Sequence, residues 1–307
     1  MTALTRSLLA LLRGAVVLAL AVRVGGTFAA ETPPLRVVAS FSILADLTRE
    51  IGGPDVDVRS LVPAGADAHL FTPTPADARA LANAQLVIVN GLRYEGWLGR
   101  LVKAAGYRGE TLVASTNVKP RQSGGGADPH AWQDLANVKI YVDNIRAGLA
   151  RRLPDRAVAI NARALAYQAR LTELDAQTRE RIARIAPERR RVVTAHDAFG
   201  YFAAAYGVEF IAPRGWSTES EPSAESVAAI VRQLRVQRTG ALLLENRGEP
   251  RRLERIGAEA GVKLLNERLY ADALSPTGGE ADTFLRLFVH NVDTLCTAMT
   301  AEPPPRR

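Results

Sequence analysis

Three of the four histidines in this chain of 307 residues lie in loops or directly after predicted strands. His69 follows the second predicted strand, His130 precedes a predicted helix, and His196 comes immediately after an apolar run. Neutral imidazole is the commonest metal-binding side chain in proteins. Open α/β sheets bind their ligands outside the carboxyl ends of their strands. We therefore predict that these three histidines converge on one metal ion. His290, inside an apolar helical pattern, is interpreted as an ordinary helix residue.

A closed zinc site needs a fourth protein ligand, because structural Zn²⁺ is almost always held by four tetrahedral ligands. The segment "ERLYADALSP" supplies Asp272, directly after the last predicted strand. Aspartate is also a common turn residue. From the residues alone, Asp272 is thus either the fourth ligand or part of a turn.

Short apolar runs alternate with helical patterns after Pro34, which predicts an α/β fold with mainly parallel sheets flanked by helices. The predicted strands are 35–41, 56–62, 84–91 and 110–115 in the first half, and 190–195, 208–212, 241–246 and 262–269 in the second. The predicted helices are 43–52, 75–83, 94–105 and 134–150, then 198–206, 223–237, 250–260 and 280–299.

A segment without glycine or internal proline separates the two halves. It runs from Pro154 to Pro187 and is rich in alanine, leucine, arginine and glutamate, which are strong helix formers. We predict one rigid linker helix over 154–187 between an N-terminal lobe, 35–150, and a C-terminal lobe, 190–300. The alternative is a long helix packed on a single domain.

Residues 1–30 have the layout of a secretory signal peptide: leading basic residues, an apolar run at 15–22, and small residues at 27–30. The apolar run is shorter than the roughly 20 residues that span a bilayer. The only cysteine, Cys296, lies far from the cleavage point, so we expect a periplasmic protein that is exported but not lipid-anchored, and a buried, inert thiol.

The formal charge of +7 falls to +4 once the three arginines of the signal segment are removed. Many of the remaining arginines alternate with glutamates in helical patterns, as in "RLTELDAQTRERIARI", which is typical of a solvated helix face. No basic patch with interleaved aromatic residues is present in the sequence. We therefore expect no nucleic-acid partner.

Four ordered motifs resemble those of the solute-binding proteins of metal-ion ABC transporters, the zinc/manganese cluster. They are "GADAHLFTPTPAD", "DPHAWQDLANVKIYVDNI", "HDAFGYFAAAYGVEF" with "STESEPSA", and "LYADALS", and they cover about residues 35–300. The resemblance implies two α/β lobes bridged by a rigid helix, with the metal at their interface. It implies His69 and His130 as ligands from the first lobe, and His196 and Asp272 as ligands from the second.

The resemblance also bears on which metal is carried. Manganese-type members resemble this chain but have a glutamate at the position of His196, and three imidazoles with one carboxylate suit Zn²⁺ better than harder ions. We therefore expect one Zn²⁺ per chain as transported ligand, with manganese or iron as the alternative. Many zinc-type members have a histidine-rich loop before the second ligand. Here the loop at 121–129 is short and glycine-rich, which suggests mobility.

The resemblance implies capture of a metal and its delivery to an ABC transporter permease in the inner membrane, by a monomer. A separate periplasmic metal chaperone could supply the ion. The competing class is a zinc hydrolase with three histidines and a metal-bound water, in which Asp197 or Glu245 would be the general base. Neither HExxH nor GxSxG is present, and Asp197 is interpreted as a helix N-cap. We therefore expect no enzyme activity.

Overall fold

The structure is a computed structural model that describes residues 33–123, 126–194, 196–211, 224–237, 241–245 and 250–301. The predicted signal peptide and most of the "STESEPSA" motif lie outside the described residues. Within the described part of the chain, no helix has the length and apolar character needed to cross a membrane.

The first lobe contains a four-stranded parallel sheet. Its strands are β1 (Leu35–Phe41), β2 (Val56–Val62), β3 (Leu86–Val89) and β4 (Glu110–Val113), in the order β2-β1-β3-β4. Its helices are α1 (Ser42–Gly52), α2 (Pro75–Ala82), α3 (Leu98–Ala105) and α4 (Leu135–Arg152). All four residues of β3 are buried and apolar, as expected for a parallel strand that is covered on both faces. Because the strands are parallel, their carboxyl ends all lie at one edge of the sheet.

A short antiparallel hairpin follows β4, formed by β5 (Gln122–Ser123) and β6 (Gly126–Ala127). The sequence predicted only a mobile loop at this place. Backbone pairing of Gln122 with Ala127 brings the residues on either side of Gly124 and Gly125 together, before His130. These two glycines lie outside the described residues, so their mobility stays a prediction.

The second lobe repeats the architecture with a second parallel sheet. Its strands are β7 (Arg191–Val193), β8 (Glu209–Ile211), β9 (Ala241–Glu245) and β10 (Lys263–Leu269), in the order β10-β9-β7-β8. Its helices are α6 (Gly200–Tyr206), α7 (Ala224–Gln237), α8 (Pro250–Ala260) and α9 (Phe284–Thr300). β7 and β9 are neighbours, so residues that follow their carboxyl ends come close together although they are distant in sequence.

A long helix, α5 (Ala157–Ala183), joins the two lobes. The helix lies inside the predicted range of 154–187, and short 3₁₀ turns at Pro154–Arg156 and Pro187–Arg189 precede and follow it. Near its start, the guanidinium of Arg163 donates to the carbonyls of Ile51 and Gly52 in the first lobe, at 2.8 and 2.7 Å. Near its end, Arg179 donates to the carbonyl of Ala205 in the second lobe at 2.7 Å. The helix is therefore fastened to both lobes.

The lobes also share apolar packing and direct hydrogen bonds. One hydrophobic cluster contains residues of both halves, such as Phe41 and Trp132 from the first and Phe284 from the second. The carboxylate of Asp46, on α1, accepts a hydrogen bond of 2.8 Å from the backbone N–H of Phe284, the first residue of α9. Burial raises the pKa of Asp46 to about 6. These contacts hold the interface closed around the predicted site.

The two helices whose starts differ most from the prediction each begin four residues late. The third helix starts at Leu98 rather than near 94, because the indole N–H of Trp97 donates to the carbonyl of Ala68 and the preceding residues form a turn. The last helix starts at Phe284 rather than near 280, because the Thr283 side chain accepts from the backbone N–H of Arg286 and caps it.

Candidate metal site

The four predicted ligands lie together where the lobes meet. His69, His130, His196 and Asp272 each offer one ligand atom, and these atoms all lie within 4.8 Å of one another. The carboxylate of Asp272 is 3.8 Å from Nε2 of His69, 3.5 Å from Nε2 of His130 and 3.2 Å from Nε2 of His196. Zinc–nitrogen bonds of about 2.0–2.1 Å imply ligand atoms roughly 3.3 Å apart around a tetrahedral ion. Ligand atoms that now lie up to 4.8 Å apart must therefore draw together by up to about 1.5 Å to enclose one ion.

The same atoms lack ordinary partners. The Nε2 atoms of His69, His130 and His196 are buried, as is Oδ1 of Asp272, and none makes a hydrogen bond of good geometry to a described residue. The shortest distance, 3.2 Å between Nε2 of His196 and the Asp272 carboxylate, is short enough for an ion pair, but the angles are not those of a hydrogen bond. Buried polar atoms without partners are rare because each costs about 1–3 kcal/mol. A shared cation would satisfy all four.

One of the four candidate ligands is more exposed to solvent than the others. The side chain of His69 is 21% exposed, whereas those of His130 and Asp272 are 6% and 10% exposed. His69 is followed by Leu70, which is 53% exposed. His69 is therefore the most solvent-exposed of the four candidate ligands.

Three of the four candidate ligands follow the carboxyl end of a parallel strand. His69 lies in the loop after β2, His196 comes three residues after β7 ends, and Asp272 comes three residues after β10 ends. His130 follows the β5–β6 hairpin and precedes a 3₁₀ turn, Ala131–Gln133. The four residues therefore lie together as predicted, and their role as metal ligands stays a prediction.

His130 is oriented by the aspartate two residues before it. Oδ1 of Asp128 accepts from the backbone N–H of His130 at 3.0 Å and lies 2.8 Å from its ring Nδ1. A proton on Nδ1 leaves the Nε2 lone pair directed at the site. The second oxygen of Asp128 lies 3.9 Å from the guanidinium of Arg121.

His69 lies in a similar turn, but no carboxylate of that turn contacts its imidazole ring. Oδ1 of Asp67 accepts from the backbone N–H of His69 at 2.8 Å, and among the described contacts its carboxylate does not reach the imidazole. The phenol ring of Tyr94 instead meets the His69 ring edge-on, with ring centroids 5.2 Å apart. The pattern Asp-x-His occurs twice, at 67–69 and 128–130, and could have identified both aspartates as residues that contact the candidate ligands.

His196 is oriented by a residue from the neighbouring strand. Glu245, the last residue of β9, is 3% exposed and lies with Oε1 3.0 Å from the backbone N–H of His196. Its Oε2 lies 2.5 Å from the ring Nδ1 of the same residue. Both carboxylate oxygens of Glu245 therefore contact His196. Neither is left to accept a proton from a metal-bound water, as a general base would.

Asp272 sits in a loop that the first lobe holds in place. The carbonyl of Ala271 accepts from Trp132 Nε1 at 2.9 Å and from Gln133 Nε2 at 3.0 Å. The backbone N–H of Leu274 donates to Ser42 Oγ at 3.0 Å. Although Asp272 belongs to the second half of the sequence, its position depends on these first-lobe residues.

The charges in the site support one another. Burial by itself would raise the pKa of the Asp272 carboxyl, but the charged imidazole of His196, more than any other group, holds it well below its usual value. Burial lowers the pKa of His69, which keeps this imidazole neutral. Burial would also lower the pKa of His196, but the carboxylates of Glu245 and Asp272 overcome that effect and raise it well above its usual value.

Two other side chains differ from the sequence interpretation or complete it. Asp197 does not cap a helix: α6 begins at Gly200, and the Asp197 carboxylate accepts from Ser123 Oγ at 2.6 Å. The interpretation as an N-cap was wrong because the turn after His196 delays the helix by two residues, so that Phe199 is its N-cap. His290 lies in α9 with its Nε2 2.8 Å from the carbonyl of Arg268, as an ordinary helix residue would.

Comparison with known protein families gives a match over most of the chain. The family model of ZnuA, the periplasmic zinc-uptake complex component A, matches residues 37–298. The zinc-binding protein TroA of Treponema pallidum is 33% identical over 281 residues, which cover 88% of this chain and 90% of TroA. The manganese-binding lipoprotein MntA of Halalkalibacterium halodurans is 32% identical over 267 residues, with coverage of 87% and 89%.

Solved structures share the architecture. The periplasmic zinc-binding protein TroA from Treponema pallidum superposes with a TM-score of 0.82 at 30% identity, covering 88% of this chain and all (100%) of that one. A periplasmic metal-binding protein from Candidatus Liberibacter asiaticus superposes with a TM-score of 0.78 at 27% identity, covering 86% and 99%. The two-lobed α/β fold and the long joining helix are therefore confirmed.

Proposed function

We propose that one zinc ion is the cargo of this chain, which belongs to the zinc-uptake complex component A family of periplasmic proteins. Proteins of this kind are substrate-binding components of metal ABC transporters, as the names of the relatives state. The chain therefore captures a divalent metal outside the cytoplasm and delivers it to a membrane permease. It is a carrier and not an enzyme.

The donor set is the observation that supports zinc. Three buried imidazole nitrogens and one carboxylate, His69, His130, His196 and Asp272, surround a space that fits one tetrahedral ion. Structural Zn²⁺ prefers this coordination number, and imidazole suits it better than it suits harder ions. We assign all four residues as direct ligands.

Manganese or iron is the second candidate cargo. It is favoured by the similarity to the manganese-binding lipoprotein MntA and to the iron ABC transporter substrate-binding lipoprotein MtsA of Streptococcus pyogenes, which is 30% identical over 281 residues. Against it stands the imidazole of His196, since a second carboxylate at this position would suit a harder ion better.

Titration of the metal-stripped chain with zinc tests the proposal and its pH dependence. Binding should saturate at one ion per chain. The raised pKa of His196 means that both of its ring nitrogens carry a proton in the metal-free protein. Zinc must displace the proton on Nε2 and leaves the one on Nδ1 in place. Lower pH retains the proton, so zinc affinity should fall on acidification, by about tenfold per pH unit for one displaced proton.

Calorimetry in two buffers of different ionisation enthalpy measures the released proton directly. An affinity that stays constant from about pH 8 to about pH 6, with no proton released, would contradict coordination by imidazole. Absence of any saturable zinc or manganese binding would contradict the carrier function itself.

The location and partners of the mature chain complete the proposal. We assign residues 1–30 as a cleaved signal peptide, 35–150 and 190–300 as the two lobes, and 154–187 as the rigid linker. Several relatives are named lipoproteins, but the only cysteine here is Cys296, half-buried in α9, so the proposed mature chain carries no lipid at its N-terminus. We propose a monomer that receives zinc from solution or from a periplasmic chaperone.

A further inference from the structure

Both carboxylate oxygens of Glu245 contact the same residue, His196. Its Oε1 accepts from the backbone N–H of His196 at 3.0 Å, and its Oε2 lies 2.5 Å from ring Nδ1 of the same histidine. The two residues are 49 positions apart in the sequence. They meet because β7 and β9 are adjacent parallel strands, with Val193 paired to Leu242, and each residue lies at or beyond the carboxyl end of its strand.

This contact differs from those of the other two imidazoles. Asp67 and Asp128 are each two residues before their histidine, so each belongs to the same turn as the ligand it touches. Glu245 instead belongs to the middle of the second sheet and is 3% exposed. The direction of the His196 ring is therefore set by the pairing of two strands rather than by its own loop.

The chemical consequence concerns the two ring nitrogens. A carboxylate at Nδ1 retains the proton there, so that the Nε2 lone pair is free for a cation. Nε2 of His196 is the ring nitrogen that lies 3.2 Å from Asp272 and lacks a partner of good geometry. A hydrogen bond from Nδ1–H to a carboxylate also increases the electron density that Nε2 donates.

We infer that Glu245 is a positioning residue of the metal site: it holds His196 with Nδ1 protonated and Nε2 aimed at the ion, and it thereby determines a large part of the affinity for zinc. The inference rests on the proposed function and deepens it. Changes to such partners of metal-bound histidines typically lower metal affinity about 10–100-fold.

The variant Glu245→Gln tests this in zinc competition against a chelator. We expect its affinity to be about 10–100-fold lower than that of the unchanged chain. A double-mutant cycle separates positioning from general loss of stability. On a His196→Ala background, Glu245→Gln should cause no further loss of affinity, because Glu245 acts only through His196. An equal loss on both backgrounds would overturn the inference.

Asp55→Asn is the matched control. It also removes a carboxylate that makes a charged contact, here 2.7 Å from Arg163, but Asp55 precedes β2 and so lies at the opposite edge of the sheet from the ligands. Its zinc affinity should equal that of the unchanged chain. If it falls as far as that of Glu245→Gln, the loss reflects stability and the inference fails.

A measurement on the unchanged chain covers the case in which Glu245→Gln does not fold. Long-range ¹H–¹⁵N spectra of the zinc-loaded protein report which nitrogen of each histidine carries the proton. We expect His196 to be protonated at Nδ1 and bound through Nε2. The opposite tautomer would overturn the inference while leaving zinc capture intact, whereas failure of the unchanged chain to bind zinc would overturn the proposed function instead.

Discussion

Replacing Asp272 with alanine is expected to lower zinc affinity by more than about 100-fold, beyond the range for residues that only support a ligand. Asp272 is the only carboxylate in the ligand group, and its oxygens lie 3.2–3.8 Å from the three Nε2 atoms. Without it, three buried imidazoles lose their shared anionic partner and the ion loses its only charged ligand. Chelator competition on the metal-stripped variant measures the effect.

Asp282→Ala is the matched control for this prediction. Asp282 lies in the same connection between β10 and α9, but its carboxylate pairs with Arg286 and with the backbone N–H of Gly278. Its removal should leave zinc affinity unchanged. If Asp272→Ala binds zinc as tightly as Asp282→Ala does, then Asp272 is a turn residue and not a ligand.

Replacing His196 with glutamate is expected to abolish tight zinc binding. The introduced carboxylate would face Glu245, which now lies 2.5 Å from the ring it replaces. Two carboxylates in contact in a buried site cannot both be ionised without a large cost in free energy. We expect an affinity at least about 100-fold lower, since a ligand is lost and its supporting residue becomes repulsive.

The double variant His196→Glu with Glu245→Gln removes that repulsion. It should recover metal binding with two imidazoles and two carboxylates, and its preference should move towards manganese. Elemental counting after exposure to both metals measures the shift. If His196→Glu alone retains zinc as well as the unchanged chain does, then His196 is not a ligand and its contact with Glu245 has no role in affinity.

The sequence predicted that His69 and His196 lie close together because each follows an apolar strand, and parallel strands end at a common edge. From the residues alone Asp272 was either a ligand or a turn residue, and only the resemblance favoured the ligand. That the four residues bind a metal stays a prediction. The strand bounds themselves were close, since runs such as Leu86–Val89 are apolar throughout and predict burial on both faces. The long joining helix was also evident, because the segment from Pro154 to Pro187 contains no glycine and no further proline.

The residues that orient the ligands were harder to predict. Asp128 could have been identified from its position two residues before His130, because an aspartate there commonly accepts from the backbone N–H of such a turn. Glu245 could not, since its contact with His196 depends on the order β10-β9-β7-β8, and strand order is a tertiary property. Glu245 was therefore considered only as a general base in the hydrolase alternative.

The start of α3 shows a second kind of limit. Helical periodicity predicted a start near residue 94, but Tyr94 packs against His69 and Glu95 accepts from Ser40 Oγ at 2.7 Å and from the backbone N–H groups of Asn90 and Gly91. These contacts stabilise a non-helical turn where the first turn of the helix was predicted. Tertiary contacts around the site have overridden a local preference, which is common near functional residues.

Competition between the two candidate cargoes tests the central claim most directly. The mature chain, stripped of metal, is equilibrated with equal zinc and manganese, freed of unbound ions, and analysed for both elements. A site of three imidazoles and one carboxylate predicts about one zinc per chain and little manganese. Retention of manganese in place of zinc would contradict the assignment of the cargo, and retention of neither metal would contradict the proposed site.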